Sequence, residues 1–298
     1  MILIDGKKEA ALLREELKKE VSELKTKYNK VPGLTVILIG DLTPSQIYVR
    51  NKEKSANEVG LKSDVLKYPD SVEEKVILEK IEELNKDRSV SGILVQLPLP
   101  KHIDKQKVIE AINPSKDVDG LHPLNVGLLA TEQPKFISCT PLGVLEILKR
   151  YKIEIIGKQV VVLGRSNLVG RPLATLLSQK GWDATVTICH SKTRNLENHI
   201  EQADIVVAAI GQPNFVSGEM LKKNVVVIDV GINRIPSSNP TKKGKLCGDV
   251  DFESASKVAS FITPVPGGVG PMTIAMLMKN TILAAGLQAG MINNLTEA

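Results

Sequence analysis

The segment "VVVLGRSNLVGRPLATLL" (residues 160–177) contains the order of elements on which the fold assignment depends. Its apolar start predicts a buried parallel strand, the stretch from Gly164 to Gly170 predicts a turn, and the remainder predicts a helix. This order exposes N–H groups at a helix N-terminus, where α/β proteins bind a dinucleotide pyrophosphate. The turn departs from G-x-G-x-x-G, because Arg165 and Ser166 follow the first glycine. A tight connection without a ligand therefore stays open as an alternative.

The end of the next predicted strand distinguishes between the two nicotinamide dinucleotides. In NAD sites an acid about 20 residues beyond the glycines usually binds the ribose 2′-hydroxyl. Here "ICHSKTRN" (residues 188–195) supplies Ser191, Lys192 and Arg194 and contains no carboxylate. Arg165, Ser191 and a nearby cation can bind a 2′-phosphate, which an acid would repel. The sequence predicts NADP, with a solvated turn as the alternative reading of Lys192 and Arg194.

Beyond this segment, apolar runs alternate with helical patterns, which predicts an α/β fold with largely parallel strands. The chain of 298 residues is long enough for two domains, and we expect them to change near residues 135–145. The predicted strands are Leu34–Ile39, Ser63–Lys67, Gly92–Gln96, Lys158–Leu163, Thr185–Cys189, Ile205–Ala209 and Val225–Asp229. Besides the helix after Gly170, the predicted helices are Thr43–Val59, Val72–Lys86, one capped by Thr140, and a buried one near Met272–Gly286.

The helix at "TPSQIYVRNKEKSANEVG" (residues 43–60) has recognisable ends in the sequence. Thr43 and Gln46 have the spacing of a capping box, and Pro44 suits the first helical position. Gly60 is typical of a helix C-terminus. The segment therefore predicts a helix with defined boundaries.

Lys52 falls on the face of this helix that we expect to be covered. At about 100° per residue it shares that face with Tyr48, Ser55, Ala56 and Val59. A lysine removed from water loses stabilisation of its charge, so its pKa falls towards the range useful for acid–base catalysis. Lys52 is therefore a candidate general base. The alternative is a side chain that extends its ammonium group to water along the helix edge.

Two further segments supply polar groups that suit such a lysine. In "GILVQLPLP" (residues 92–100) the predicted strand ends at Gln96, and the carboxyl ends of parallel strands are where ligands bind. An uncharged amide can orient a lysine without forming an ion pair. In "SKDVDG", we expect one of Asp117 and Asp119 to stabilise a turn or cap a helix. The other can bind the amino–imino edge of a heterocycle through two hydrogen bonds.

The segment "ITPVPGGVGPMT" (residues 262–273) precedes the last predicted helix. Gly267, Gly268 and Gly270 allow the backbone to approach a ligand closely. A tight connection between two elements is the alternative.

Composition and charge exclude several classes of protein. The formal charge of +5 comes from 39 basic and 34 acidic residues spread along the chain, so we expect no nucleic acid partner. The three cysteines and four histidines are scattered, which predicts no metal site and fits a reducing compartment. No apolar run approaches the roughly 20 residues of a membrane span, and the N-terminus lacks a signal-peptide pattern. We expect a cytoplasmic protein with no membrane partner.

Together these segments resemble the bifunctional methylenetetrahydrofolate dehydrogenase–methenyltetrahydrofolate cyclohydrolase family. The resemblance covers almost the whole chain, in order: "YVRNKEKSANEVG", "VQLPLP", "KDVDGLHPLNVG", "CTPLGV", "GRSNLVGRPLATLL", "ATVTICHS", "DVGIN", "GDVDF" and "TPVPGGVGPMT". It implies a homodimer whose subunits have an N-terminal folate-binding catalytic domain (1–138) and a Rossmann-type NADP domain (139–271). A C-terminal helix (272–298) would pack on the first domain, and the folate would lie between the domains.

The resemblance also implies a role for individual residues. Lys52 would be the catalytic residue, Tyr48 would position the folate ring, Gln96 would tune the lysine, and Asp119 would bind the pterin. The implied folate contacts are Tyr48, Lys52, Val95, Gln96, Leu97, Asp119, Pro266, Gly267, Gly268 and Val269. The implied NADP contacts are Gly164, Arg165, Ser166, Ser191 and Ile232.

The implied activity is a pair of reactions on tetrahydrofolate derivatives. NADP⁺ would oxidise 5,10-methylenetetrahydrofolate, and the methenyl product would be hydrolysed to 10-formyltetrahydrofolate. One rival reading is a dehydrogenase without useful cyclohydrolase activity. Another is a dinucleotide-sensing protein, which would bind cofactor without turnover and would leave Lys52 unexplained.

Overall fold

The computed structural model describes residues 1–235 and 244–291, which form two compact units. The first, here called the six-stranded unit, contains residues 1–10 and the described part of 140–273. The second, the three-stranded unit, contains residues 11–139 together with 274–291. Residues 292–298 of the predicted C-terminal domain segment lie outside the described residues.

The described elements follow the predicted alternation of strands and helices. The strands are β1 (Ile2–Leu3), β2 (Gly33–Ile39), β3 (Lys62–Tyr68), β4 (Gly92–Val95), β5 (Gln159–Leu163), β6 (Thr185–Cys189), β7 (Ile205–Ala208), β8 (Val226–Asp229), β9 (Asn233–Ile235), β10 (Lys245–Cys247) and β11 (Phe261–Ile262). The helices are α1 (Gly6–Tyr28), α2 (Thr43–Val59), α3 (Glu74–Lys86), α4 (Lys105–Ala111), α5 (Pro123–Ala130), α6 (Cys139–Arg150), α7 (Gly170–Ser178), α8 (Leu196–Gln202), α9 (Phe252–Ala255) and α10 (Val269–Gln288).

The six-stranded unit contains a parallel sheet in the order β1-β11-β8-β7-β5-β6. Its central strands β5, β7 and β8 are almost entirely Val, Ile, Leu and Ala and are buried, as expected for a sheet covered on both faces. Strand β5 pairs with β6 on one side and with β7 on the other. The chain therefore changes direction across the sheet beside β5, and ligands bind at the carboxyl ends of strands at such a point.

The three-stranded unit contains a parallel sheet in the order β3-β2-β4. Its central strand β2 is buried along its whole length, and α3 adds Ile77 and Ile81 to the same core. From residue 274 onward, α10 belongs to this unit, where Asn280 Nδ2 donates to the backbone oxygens of Val118 (2.8 Å) and Ile137 (3.0 Å). The burial predicted for this apolar helix is confirmed.

The α/β fold with a parallel sheet is confirmed, and three details differ from the sequence-based predictions. The first ten residues lie in the six-stranded unit because β1 pairs with β11, where Ile2 opposes Phe261. The capping box is wrong, since Thr43 is already helical and Leu42 occupies the cap position without a side-chain hydrogen bond. Thr140 is likewise inside α6, which begins at Cys139.

Candidate functional site

Helix α2 positions Tyr48 and Lys52 on its covered side. The helix ends at Gly60, whose φ of 87° is left-handed and whose N–H donates to the backbone oxygen of Asn57 (3.2 Å). Glycine adopts this conformation without steric cost, so the predicted C-terminus is confirmed. Ser55, Ala56 and Val59 are buried, while Tyr48 and Lys52 are half-buried beside them.

The amine of Lys52 is held by the amide of Gln96. Lys52 Nζ donates to Gln96 Oε1 over 2.9 Å. Gln96 Nε2 in turn donates to the backbone oxygen of Leu97 (2.7 Å), which fixes the direction of the amide. The backbone N–H of Gln96 donates to Ile37 and extends the pairing of β4 with β2. The sheet therefore places the amide at the carboxyl end of β4.

Burial governs the ionisation of the groups around Lys52. It lowers the pKa of Lys52, although the nearby carboxylate of Asp119 acts in the opposite direction. Burial also raises the pKa of Asp119, against the effect of the Lys52 charge. Because a low-dielectric environment penalises ions, both groups are shifted towards their neutral forms. A primary amine shifted in this way is suited to accept a proton from a bound water.

The two aspartates of "KDVDG" have different surroundings. Asp117 is buried and accepts hydrogen bonds from Leu121 N (3.2 Å), His122 N (2.8 Å) and Asn125 Nδ2 (2.8 Å). These bonds fix the turn before α5, so Asp117 is the acid with the structural role. Asp119 is the one that interacts with Lys52.

Cys139 joins this cluster and was not predicted as a site residue. Its thiol donates to the backbone oxygen of Val118 (3.4 Å) and lies near enough to Asp119 for the two groups to interact electrostatically. Burial raises the pKa of the thiol well above its usual value, so the group stays protonated. The only hint in the sequence was its place directly before the "TPLG" helix start.

The remaining predicted folate contacts of the three-stranded unit differ in exposure. Tyr48 lies one turn before Lys52, and burial raises the pKa of its phenol. Val95 is buried in the core formed by β2, β4 and α3, whereas Leu97 is half-buried after the strand. The side chain of Val95 is therefore occupied by core packing.

The glycine turn of the six-stranded unit depends on both of its glycines. Gly164 has a φ of +116°, and a Cβ there would lie 2.2 Å from the backbone oxygen of Ala209. A Cβ on Gly170 would lie 2.0 Å from the oxygen of Gly164. The turn therefore brings the ends of β5 and β7 and the start of α7 together at the place where the strand order reverses.

The polar residues predicted for NADP lie at the ends of neighbouring strands. Gly164 N–H donates to the oxygen of Cys189 (2.8 Å), which joins the turn after β5 to the end of β6. Arg165 and Ser166 are exposed on the first strand end and Ser191 on the second. Within the tight turn after β6, His190 N–H donates to Thr193 Oγ1 (2.9 Å).

The proline–glycine loop before α10 packs against the start of the chain. Lys7 N–H donates to the oxygen of Gly267 (2.9 Å), and a Cβ on Gly6 would lie 1.9 Å from the oxygen of Gly268. Tight packing therefore accounts for part of this glycine pattern. Pro266 is exposed and Val269 is buried. Ile232, predicted to contact NADP, is 46% exposed, and its Cδ1 lies 3.7 Å from the Cβ position of Gly270.

The described residues contain neither a cluster of metal ligands nor a membrane-spanning helix. Among residues 1–235 and 244–291, no three His, Cys, Asp or Glu side chains gather as metal ligands. Over the same ranges, no helix is both long and apolar enough to cross a membrane.

Comparison with known proteins assigns a family to both halves of the chain. Residues 4–119 match the catalytic domain of tetrahydrofolate dehydrogenase/cyclohydrolase, and residues 138–289 match its NAD(P)-binding domain. The bifunctional protein FolD of Pelagibacter ubique is 62% identical over 282 residues, covering 95% of this chain and 97% of the relative.

Solved structures of methylenetetrahydrofolate dehydrogenase/cyclohydrolase enzymes are similar to this chain over nearly its whole length. The Campylobacter jejuni bifunctional FolD enzyme, a methylenetetrahydrofolate dehydrogenase/cyclohydrolase, has a TM-score of 0.91 at 49% identity, covering 96% of this chain and 99% of that one. The Trypanosoma brucei enzyme, solved with NADP and an inhibitor, has a TM-score of 0.92 at 41% identity, covering 96% and 98%. The chain belongs to the tetrahydrofolate dehydrogenase/cyclohydrolase family.

Proposed function

We propose that this protein is a bifunctional folate enzyme. It oxidises 5,10-methylenetetrahydrofolate with NADP⁺ and hydrolyses the methenyl product to 10-formyltetrahydrofolate. The observation that carries the proposal is the buried amine of Lys52, held 2.9 Å from Gln96 Oε1 beside Asp119, in a chain of this family. If the protein only bound a dinucleotide without turnover, the cluster around Lys52 would have no role.

The residues of the six-stranded unit fit NADP. The glycine turn packs the start of α7 against the end of β5, and Arg165 and Ser191 are exposed on adjacent strand ends with no acid between residues 188 and 195. When bound, NADP⁺ would supply the acceptor for the hydride that leaves the methylene carbon. This step depends mainly on orientation, to which Ser166 and Ile232 contribute as further contacts.

Hydrolysis is assigned to Lys52. The neutral amine accepts a proton from water as the water oxygen bonds to the methenyl carbon. The protonated amine then donates to N5 as the bond between N5 and that carbon breaks, and the hydroxyl proton leaves as the formyl carbonyl forms. The lowered pKa of Lys52 makes the neutral form accessible. The positive charge of the methenyl substrate lowers it further, because two nearby cations repel each other.

The neighbours of Lys52 orient its amine and the folate for this reaction. Gln96 directs the lone pair of the amine without an ion pair, since its own amide is fixed by Leu97. Asp119 binds the pterin, and Tyr48 packs against the folate ring from the same face of α2 as Lys52. Leu97 and residues 266–269 are further proposed folate contacts, and Val95, whose side chain packs in the core, would contribute its backbone.

We also propose that the enzyme is a homodimer in the cytoplasm, as the family resemblance implies. Light scattering coupled to size exclusion measures the mass directly. A monomer mass across the working concentration range would contradict the dimer.

One experiment tests the proposed function. Protein, methylenetetrahydrofolate and NADP⁺ are mixed, and NADPH and the formyl product are followed together. Both products should appear in equal amounts. Accumulation of the methenyl absorbance would instead indicate a dehydrogenase without useful hydrolysis, and cofactor binding without NADPH would indicate a binding protein.

A further inference from the structure

Two buried aspartates of the six-stranded unit have no place in the reaction described above. Asp229 ends β8 and is 4% exposed, and Asp249, which follows β10, is completely buried. Carboxylates are rarely buried unless their oxygens are hydrogen-bonded. The partners of these two therefore indicate what they hold in place.

Asp229 holds the segment of Asp249 through backbone N–H groups. Asp229 accepts hydrogen bonds from Asp249 N (3.0 Å), Val250 N (2.9 Å) and Gly231 N (2.9 Å). Two glycines permit this contact: a Cβ on Gly248 would lie 1.7 Å from Asp229 Oδ2, and a Cβ on Gly231 would lie 2.3 Å from Asp249 Oδ1. Each carboxylate thus packs on a glycine of the other's segment.

Asp249 extends this contact to two loops at the carboxyl ends of the strands. Its Oδ2 accepts from the N–H groups of Ile210 (2.7 Å) and Gly211 (2.9 Å), in the loop after β7. Its Oδ1 accepts from Asn233 Nδ2 (2.8 Å), just after the loop from β8. The loop after β7 begins at Ala209, whose oxygen faces Gly164 at the reversal of strand order.

Ile232 lies between two of these anchored positions. Gly231 is bonded to Asp229 and packed on Asp249, and the side chain of Asn233 is bonded to Asp249. The backbone of Ile232 is therefore fixed on both sides although its side chain is exposed. Fixed orientation of this kind is what hydride transfer requires.

We propose that Asp249, supported by Asp229, is a positioning residue for the cofactor: it holds the loops that carry residues 209–211 and Ile232 in place for NADP. This rests on the proposed function. Its role is confined to the dinucleotide, because every Asp249 side-chain contact described above lies in these two loops or, for Asn233, directly after one of them. Hydrolysis of supplied methenyltetrahydrofolate needs no NADP⁺ and serves as an internal reference.

Asp249→Ala and Asp249→Asn are compared with wild type in both half-reactions. Asp249→Ala removes all three acceptor bonds and should raise KM for NADP⁺ at least about tenfold. Hydrolysis of supplied substrate should stay within a factor of about two. Asp249→Asn should have a smaller effect, because its carbonyl oxygen can still accept from Ile210 and Gly211.

Asp204→Asn is the matched control. Asp204 also accepts a backbone N–H, from Gln159 (3.0 Å), and pairs with Lys222 (2.7 Å), but it precedes β7 at the opposite end of the strand. This variant should lose stability without a change in KM for NADP⁺.

Three outcomes would overturn the proposal: an unchanged KM in folded Asp249→Ala, a parallel fall of both activities, or an Asp249→Asn enzyme as impaired as Asp249→Ala. If Asp249→Ala does not fold, Asp249→Asn decides, and an unchanged KM for NADP⁺ in that variant overturns the proposal. Inactive wild-type protein would instead contradict the proposed function itself.

Discussion

Replacing Lys52 by methionine separates the chemistry of this amine from its packing. Methionine fills a similar volume but cannot accept a proton or donate to Gln96 Oε1, now 2.9 Å away. A positioned general base contributes roughly 10²- to 10⁴-fold to a rate. At about 1.36 kcal/mol per factor of ten, that is about 2.7–5.4 kcal/mol in the activation free energy. Hydrolysis of supplied methenyltetrahydrofolate should fall by that factor.

The stability of the same variant should change with pH in a defined direction. The pKa of Lys52 is lowered in the folded protein, so the unfolded chain binds more protons between that lowered pKa and the ordinary lysine value. Wild-type stability therefore rises with pH across this window and is reduced below it by the buried charge. Lys52→Met lacks this dependence. Urea unfolding at several pH values should show that, as pH falls, the unfolding free energy of the variant rises relative to that of wild type.

Lys116→Met provides a matched control in the same unit. Like Lys52, Lys116 has a pKa lowered by burial, but its Nζ donates to the backbone oxygens of Leu84 (2.7 Å) and Asp87 (2.6 Å) at the end of α3. Its loss should cost about 1.5–3 kcal/mol of unfolding free energy for each charged hydrogen bond. The hydrolysis rate per folded molecule should not change. A Lys52→Met enzyme that hydrolyses its substrate at the wild-type rate would refute the role of this amine.

Three further substitutions test the other parts of the site. Gly164→Ala places a Cβ 2.2 Å from the oxygen of Ala209 and should abolish NADP⁺ binding in calorimetry. Gly157→Ala, with φ +71° and open space around the Cβ, should cost about 1–2 kcal/mol of unfolding free energy and leave binding intact. Arg165→Ala should reduce the preference for NADP⁺ over NAD⁺ in kcat/KM by roughly tenfold or more, since it removes a charge-assisted contact to the 2′-phosphate. Equal kcat/KM for both cofactors in the wild-type protein would contradict the assignment of Arg165 and Ser191. Asp119→Asn should raise KM for the folate with little change in melting temperature. Asp117→Asn disturbs three hydrogen bonds and should instead lower the melting temperature by several degrees. The reverse pattern would exchange the roles of the two acids.

The features that the sequence predicts well are those with a local cause. Helical periodicity is enough to place Lys52 on a covered face, because α2 is long and both of its ends are marked by proline and glycine. The buried strands β5, β7 and β8 are nearly continuous runs of aliphatic residues, which short-range patterns detect. Two-residue strands such as β1 and β11 have no period and form only when each finds its partner.

The features that the sequence does not predict depend on distant contacts. Asp119 differs from Asp117 in its interaction with Lys52, which lies 67 residues earlier in the chain. Cys139 joins the Lys52 cluster through Asp119, which precedes it by 20 residues in the chain. The reciprocal packing of Asp229 and Asp249 on each other's glycines likewise joins segments that are remote in sequence.

The central claim is that the amine of Lys52 loses its proton more readily than an ordinary lysine. Lysine ¹³Cε chemical shifts followed by NMR against pH, with Lys52→Met used to assign the resonance, measure this directly. We expect the Lys52 resonance to titrate below the ordinary lysine value of about 10.4. Titration at or above that value would contradict the proposed base.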